Sequence, residues 1–147
     1  MKKLLLLAVL VGALAACQKN PELVPATGPT PVNVADPTQK LDLSGQKLLS
    51  QGDFMSNVHP TSGTAKIYEK DGKRTLVFEN FKSDTGPDLR IYLSEDKSDN
   101  KVTEIGKLTK TGNFFIELPT PADPTKQRFV LIWCKQFAVL FGNAELK

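Results

Sequence analysis

Residues 64–81, "TAKIYEKDGKRTLVFENF", decide the fold. Asp71-Gly72 at their centre is the preferred dipeptide for a two-residue type I′ turn, in which both central residues take positive φ. Folding the stretch about that pair sets Lys70 opposite Lys73, Glu69 opposite Arg74, Ile67 opposite Leu76 and Ala65 opposite Phe78. Apolar side chains then meet apolar ones, and an acid meets a base. Such cross-strand matching supports the register independently of the turn. Two facing lysines are the one discord, tolerable at a solvated tip. The stretch predicts an antiparallel hairpin.

The segments around it read the same way, as short runs with period-two alternation separated by turn signals. Strands are expected in "DLRIYLS", "KVTEIGKL", "NFFIEL", "FVLIWC" and "FAVLFG". In the first, Leu89, Ile91 and Leu93 share one face, and Arg90, Tyr92 and Ser94 the other. "FVLIWC" is apolar on both faces, which predicts a central strand. No helical pattern is convincing. The expected fold is all-β: a single antiparallel β-sandwich of about 7–9 strands, jelly-roll-like. It occupies residues 41–147, a usual size for one domain with one core.

Upstream, "MKKLLLLAVLVGALAAC" has two lysines, an apolar run over residues 4–16 and small residues before Cys17. Thirteen apolar residues span roughly 20 Å as a helix, short of the roughly 30 Å hydrocarbon core. The pattern is that of a secretory signal over residues 1–16. Leu14-Ala15-Ala16-Cys17 is similar to the lipobox of bacterial lipoproteins. That resemblance implies cleavage before Cys17 and a lipid on its sulfur, with two or three acyl chains for stable anchoring. Residues 17–40 then form a lipidated cysteine and a linker. Residues 18–40 hold five prolines and no aromatic, the composition of a tether. Gln18, rather than aspartate, favours the outer membrane. The expected location is the cell envelope, with the domain facing the periplasm or the cell surface.

Without Lys2 and Lys3 the chain carries 17 basic against 16 acidic residues, and no basic stripe. A nucleic-acid partner is therefore not expected. With Cys17 lipidated, Cys134 has no partner within the chain, although exported proteins favour paired cysteines.

From Gln51 onward the chain resembles the DM-thirteen domain, described as an electron-transfer domain. The pieces that carry the resemblance are "GDFMSNVHPTSGTAKIY", "LVFENFKSDTGPDLRIYLS" and "FVLIWCKQFAVLFGNAEL". Within them stand Gly52, Phe54, His59, Ser62, Gly63, Asn80, Phe81, Gly86, Pro87, Asp88, Leu89, Cys134, Phe141, Gly142 and Ala144. Residues 95–128 carry little of the pattern. The resemblance implies a redox role for the cysteine, as a bare thiol or as a ligand to haem or a metal, and a redox partner protein. The domain is then an electron-transfer module rather than an enzyme in its own right.

Each candidate residue has a structural reading beside the functional one. Cys134 is a redox or ligating residue, or a small buried hydrophobe. His59, the one histidine, is extended by Pro60. It is a ligand or proton acceptor beside Cys134, or a loop residue bonding local backbone. Gly86 and Pro87 launch a turn, and Asp88 is expected to bond backbone amides there. Trp133 is expected in the core, as structure or as an electron relay. Asp84, Asp88, Glu95 and Asp96 are acidic but lack the spacing of a calcium loop. One histidine excludes a blue-copper site. The missing Cys-x-x-Cys excludes dithiol exchange, and the missing Cys-x-x-Cys-His excludes covalent haem. No hydrolase elbow, phosphate loop or dinucleotide motif occurs. Two functions follow: an anchored electron-transfer domain working through Cys134, or a ligand- or protein-binding module in which Cys134 only packs. The cofactor is not specified by the sequence; haem or a metal is what the resemblance implies.

Overall fold

The computed structural model describes residues 41–147, together with the backbone of Val24–Pro25. The expected signal segment, Cys17 and the rest of the linker lie outside the described residues. The strands are β1 (Val24–Pro25), β2 (Lys47–Ser56), β3 (Thr61–Lys70), β4 (Lys73–Ser83), β5 (Leu89–Ser94), β6 (Val102–Lys107), β7 (Gly112–Glu117), β8 (Phe129–Cys134) and β9 (Val139–Glu145). They form one sheet in the order β1-β7-β4-β3-β2-β9-β8-β5-β6. Every pairing from β7 to β6 is antiparallel, and the two-residue β1 lies parallel on β7. Among the described residues no helix is long and apolar enough to cross a membrane.

The hairpin of residues 64–81 has the predicted register, with Lys70↔Lys73, Glu69↔Arg74, Ile67↔Leu76 and Ala65↔Phe78 as partners. Asp71 and Gly72 turn with φ of 53° and 76°, as a type I′ turn requires. Arg74 Nε donates to Glu69 at 3.0 Å. One register shift, between Ser62 and Thr64, is placed by Gly63 at φ 110°. A Cβ there would come within 2.7 Å of the Glu79 carbonyl oxygen and the Phe81 Cα. This is the close backbone approach that glycine in a bulge permits.

The two layers of the expected sandwich are the two halves of this single curled sheet. The hinge between them is β2, a strand the sequence did not announce. Its outward residues are exposed and its sequence, "KLLSQGDFMS", lacks an alternating apolar face. β2 pairs with β3 from Lys47 to Asp53 and with β9 from Phe54 to Ser56, so the sheet passes from one half to the other along it. The last strand also begins later than expected. Phe137 and Ala138 belong to a turn, where Ala138 has φ 53°, and β9 starts at Val139.

One core fills the concave side. Phe54, Phe78, Phe81 and Phe114 pack in it, with Phe78 stacked on Phe114 at 4.3 Å and Phe54 edge-on to Phe81 at 4.9 Å. The other half contributes Leu89, Ile91 and Leu93 from β5, and Val130, Ile132 and Cys134 from β8. Tyr92 and Leu131, buried on the reverse face, fit the prediction that β8 is central and covered on both sides. The pairings fix two ends of the sheet. Residues 57–60, 84–88, 108–111 and 135–138 form one end, beside Cys134. The Asp71-Gly72 turn and residues 95–101 and 118–128 form the other, where the chain enters β2.

Candidate functional site

Cys134 is the last residue of β8, with Leu89 as its cross-strand partner on one side and Val139 on the other. It is a free thiol with 0% exposure. The next four residues, 135–138, are all exposed. The Lys135 amide donates to the Asp88 carbonyl at 2.9 Å, so a single backbone bond joins the start of that turn to the loop before β5. The thiol thus lies at the edge of the core, one residue below a solvated turn.

His59 lies at the same end. Its backbone amide donates to the Phe141 carbonyl at 3.4 Å, and its own carbonyl accepts the Thr61 hydroxyl at 3.2 Å. Its ring lies on the Phe141 ring at 3.9 Å, and Nδ1 is 3.3 Å from an oxygen of Asp84. The side chains of His59 and Asp84 are 39% and 48% exposed. Phe141 is buried in the same core as Cys134. Gly86 allows this packing: a Cβ there would come within 2.8 Å of Leu89 and 3.0 Å of the Phe141 ring. The structure therefore brings His59 and Cys134 to one end of the domain. Their connection runs through Phe141, Gly86 and Leu89, while the histidine nitrogen is engaged by Asp84. Phe141 is a site residue that only the family motif pointed to.

Pro87 and Asp88 form the expected turn, with Pro87 exposed. The role expected of the Asp88 side chain is corrected. Its carboxylate accepts from Arg90 Nε at 2.6 Å rather than from backbone amides. The Arg90 hydrogen bond is the main cause that lowers the Asp88 pKa below the ordinary aspartate value, and Lys107 and Lys135 add to it. Arg90 also donates to Glu104 at 2.7 Å, and Lys135 lies 3.3 Å from Glu104. The guanidinium fork two residues along the strand outcompetes neutral amides for the carboxylate. Trp133 is corrected as well. It pairs with Arg90 and Leu140 on the reverse face of the sheet, is half-buried, and stands outside the core cluster.

The acidic residues do not converge. Asp84 faces His59, Asp88 faces Arg90, Glu95 faces Lys101, and Asp96 holds Ser98. Among the described residues no group of three or more histidine, cysteine or acidic side chains is placed to hold a metal ion. A cavity of about 220 Å³ at the Cys134 end is lined by Asp84, Gly86, Leu89 and Leu108, among others. A second of about 260 Å³ lies at the opposite end, beside Arg74, Glu117 and Leu118. Neither is lined by Cys134 or His59, and both fall below the about 300–1,000 Å³ of ligand pockets. With the thiol fully buried and neither cavity lined by Cys134 or His59, a haem held between them does not fit the closed fold.

These features define a class: a small, mainly antiparallel β domain, one sheet curled round one core, with its single described thiol closed into one end. The chain belongs to the family described as "Electron transfer DM13", whose model matches residues 53–146. That span runs from β2 to the residue after β9, so it includes His59, Gly86, Asp88 and Cys134. No curated protein and no solved structure matches the chain.

Proposed function

We propose that the chain is an envelope lipoprotein, anchored through Cys17, whose β-domain transfers electrons through the Cys134 thiol to a redox partner protein. Membership of the electron-transfer family supports the redox role. The observation that carries the choice of residue is the position of Cys134, fully buried yet one residue from an exposed turn. In the closed fold no partner reaches the sulfur. Parting the Lys135–Asp88 bond and the end of the β8–β9 ladder uncovers it while the rest of the sheet stays paired. Openings of this local kind lie below global unfolding in free energy. Once ionised, the Cys134 sulfur attacks a partner disulfide. The new S–S bond forms as the partner's breaks, and the leaving sulfur departs as a thiolate. His59, on the far side of Phe141, positions the end of β9 rather than touching the thiol.

A second reading has an observation of its own: 0% exposure and membership of the core are what a packing cysteine shows. The domain is then a binding module presenting loops at the end of a tether. One experiment separates the two. The full chain, produced with haem available, is examined by visible spectroscopy before and after dithionite. It is then incubated natively with glutathione disulfide and weighed by mass spectrometry. The redox reading expects a glutathione adduct on Cys134 and none in Cys134→Ala. A protein that is colourless and stays unmodified under native conditions supports the binding module.

A further inference from the structure

The three most exposed large hydrophobic residues among those described are Val58 at 68%, and Met55 and Phe137 at 63% each. All three stand at the Cys134 end. Met55 is opposite Asn143 on β9, the Val58 amide donates to the Leu140 carbonyl at 3.3 Å, and Phe137 is in the turn leading into β9. Half-buried Leu140 and Trp133 form a cross-strand pair at the same end, on the reverse face. The less exposed Leu43, Leu48 and Leu49, at 36–43%, lie at the other end. Scattered single apolar residues need no explanation, but a cluster on one corner does.

We propose that this corner rests in the interface of the bilayer to which the chain is anchored. The inference depends on the anchoring reading above. On the anchoring reading the mature chain begins at Cys17, and six residues, 18–23, separate it from Val24–Pro25, which pair in parallel with Phe114 and Phe115 of β7. Extended at about 3.1 Å per residue they reach roughly 20 Å. β7 starts at the Cys134 end and β1 runs parallel to it, so this short span holds the Cys134 end, and the Phe137 corner with it, close to the membrane. Three apolar side chains are too few for lasting binding by a free protein. Tethering makes the second contact intramolecular, so a weak contact suffices. Charges of both signs stand near the corner, Arg90, Lys107 and Lys135 with Asp88 and Glu104, so the contact does not rest on anionic lipid. Seated this way, the domain keeps the turn over Cys134 closed, and the partner of the redox reading reaches the sulfur only when this corner lifts from the lipid.

The test uses the lipid-modified full chain in phosphatidylcholine vesicles with brominated acyl chains, reading the fluorescence of Trp133, the one tryptophan. Wild type is expected to float with the vesicles and to lose fluorescence to the bromines, equally at low and high salt. The double variant V58D/F137D, altered only at exposed sites and checked by circular dichroism, is expected to float but keep its fluorescence. Flotation without quenching in the wild type overturns the docking and leaves the anchor standing. Quenching equal in the double variant also overturns it, as does shielding of Trp133 by a co-purifying protein instead of lipid. Failure to float overturns the anchor and the docking together.

Discussion

Replacing Cys134 by serine, alanine and valine asks what surrounds the thiol. It has no exposed surface and packs with Leu89 and Val139 beside it in an apolar core. Serine is nearly isosteric but brings a hydroxyl that needs a partner, and leaving one unsatisfied costs about 1–3 kcal/mol. Alanine removes the sulfur and leaves a void of about one methyl group, a loss of about 1 kcal/mol. Valine adds branching against a closed neighbour, at about 1–3 kcal/mol for an overpacked site. The expected order of stability is wild type, then alanine, with serine and valine below. For a domain of this size about 1 kcal/mol moves Tm by roughly 4–8 °C. Urea unfolding followed by Trp133 fluorescence measures each difference from the midpoint at constant slope. Serine at wild-type stability would refute the reasoning, because the hydroxyl would then have water or a polar partner, and the site would be open.

Other outcomes follow from the packing and the charges. Phe78→Ala removes a fully buried ring stacked on Phe114 and edge-on to Phe81, and is expected to cost about 3–5 kcal/mol in urea unfolding. Gly63→Ala puts a Cβ against the Glu79 carbonyl at φ 110° and should cost at least about 1–3 kcal/mol, whereas Gly72→Ala at the open tip meets only the φ penalty. Asp88 has a lowered pKa in the folded state, so its stabilising contribution is complete above the unfolded value of about 3.9. That contribution disappears as pH falls through the folded value, since the unfolded chain binds the proton first. Asp88→Asn should therefore flatten the acid limb of the stability curve and leave stability above about pH 5 to change only by the lost Arg90 contact.

Much of the sheet was legible because local chemistry and long-range pairing agree. Asp71-Gly72 specifies its turn, and the residues on either side match across it, so the hairpin register follows from the sequence. β8 was legible as central because it is apolar on both faces. β2 was not, because it serves as the bend between the halves and turns most of its side chains to water. For the same reason a single curled sheet and two separate layers look alike in sequence: both give alternating strands round one core. The site divides similarly. That Cys134 is unpaired could be read from the cysteine count, but its depth depends on Leu89 and Val139, which only the pairing identifies. His59 was singled out without its neighbours. Its stacking on Phe141 and its contact with Asp84 join residues far apart in sequence. An Asp after Gly-Pro commonly caps its own turn, whereas the pairing of Asp88 with Arg90 depends on how the turn leads into β5.

As proposed, Cys134 acts from a fold that opens at one end without unfolding. The most direct test is the rate at which glutathione disulfide modifies Cys134 in the intact protein, measured across low urea concentrations. Reaction through local opening predicts a rate nearly independent of urea below the unfolding transition, since the opened end exposes little surface. A rate that climbs with urea at the full slope of global unfolding would contradict the claim, because the thiol would then react only in the unfolded chain and Cys134 would be a packing residue.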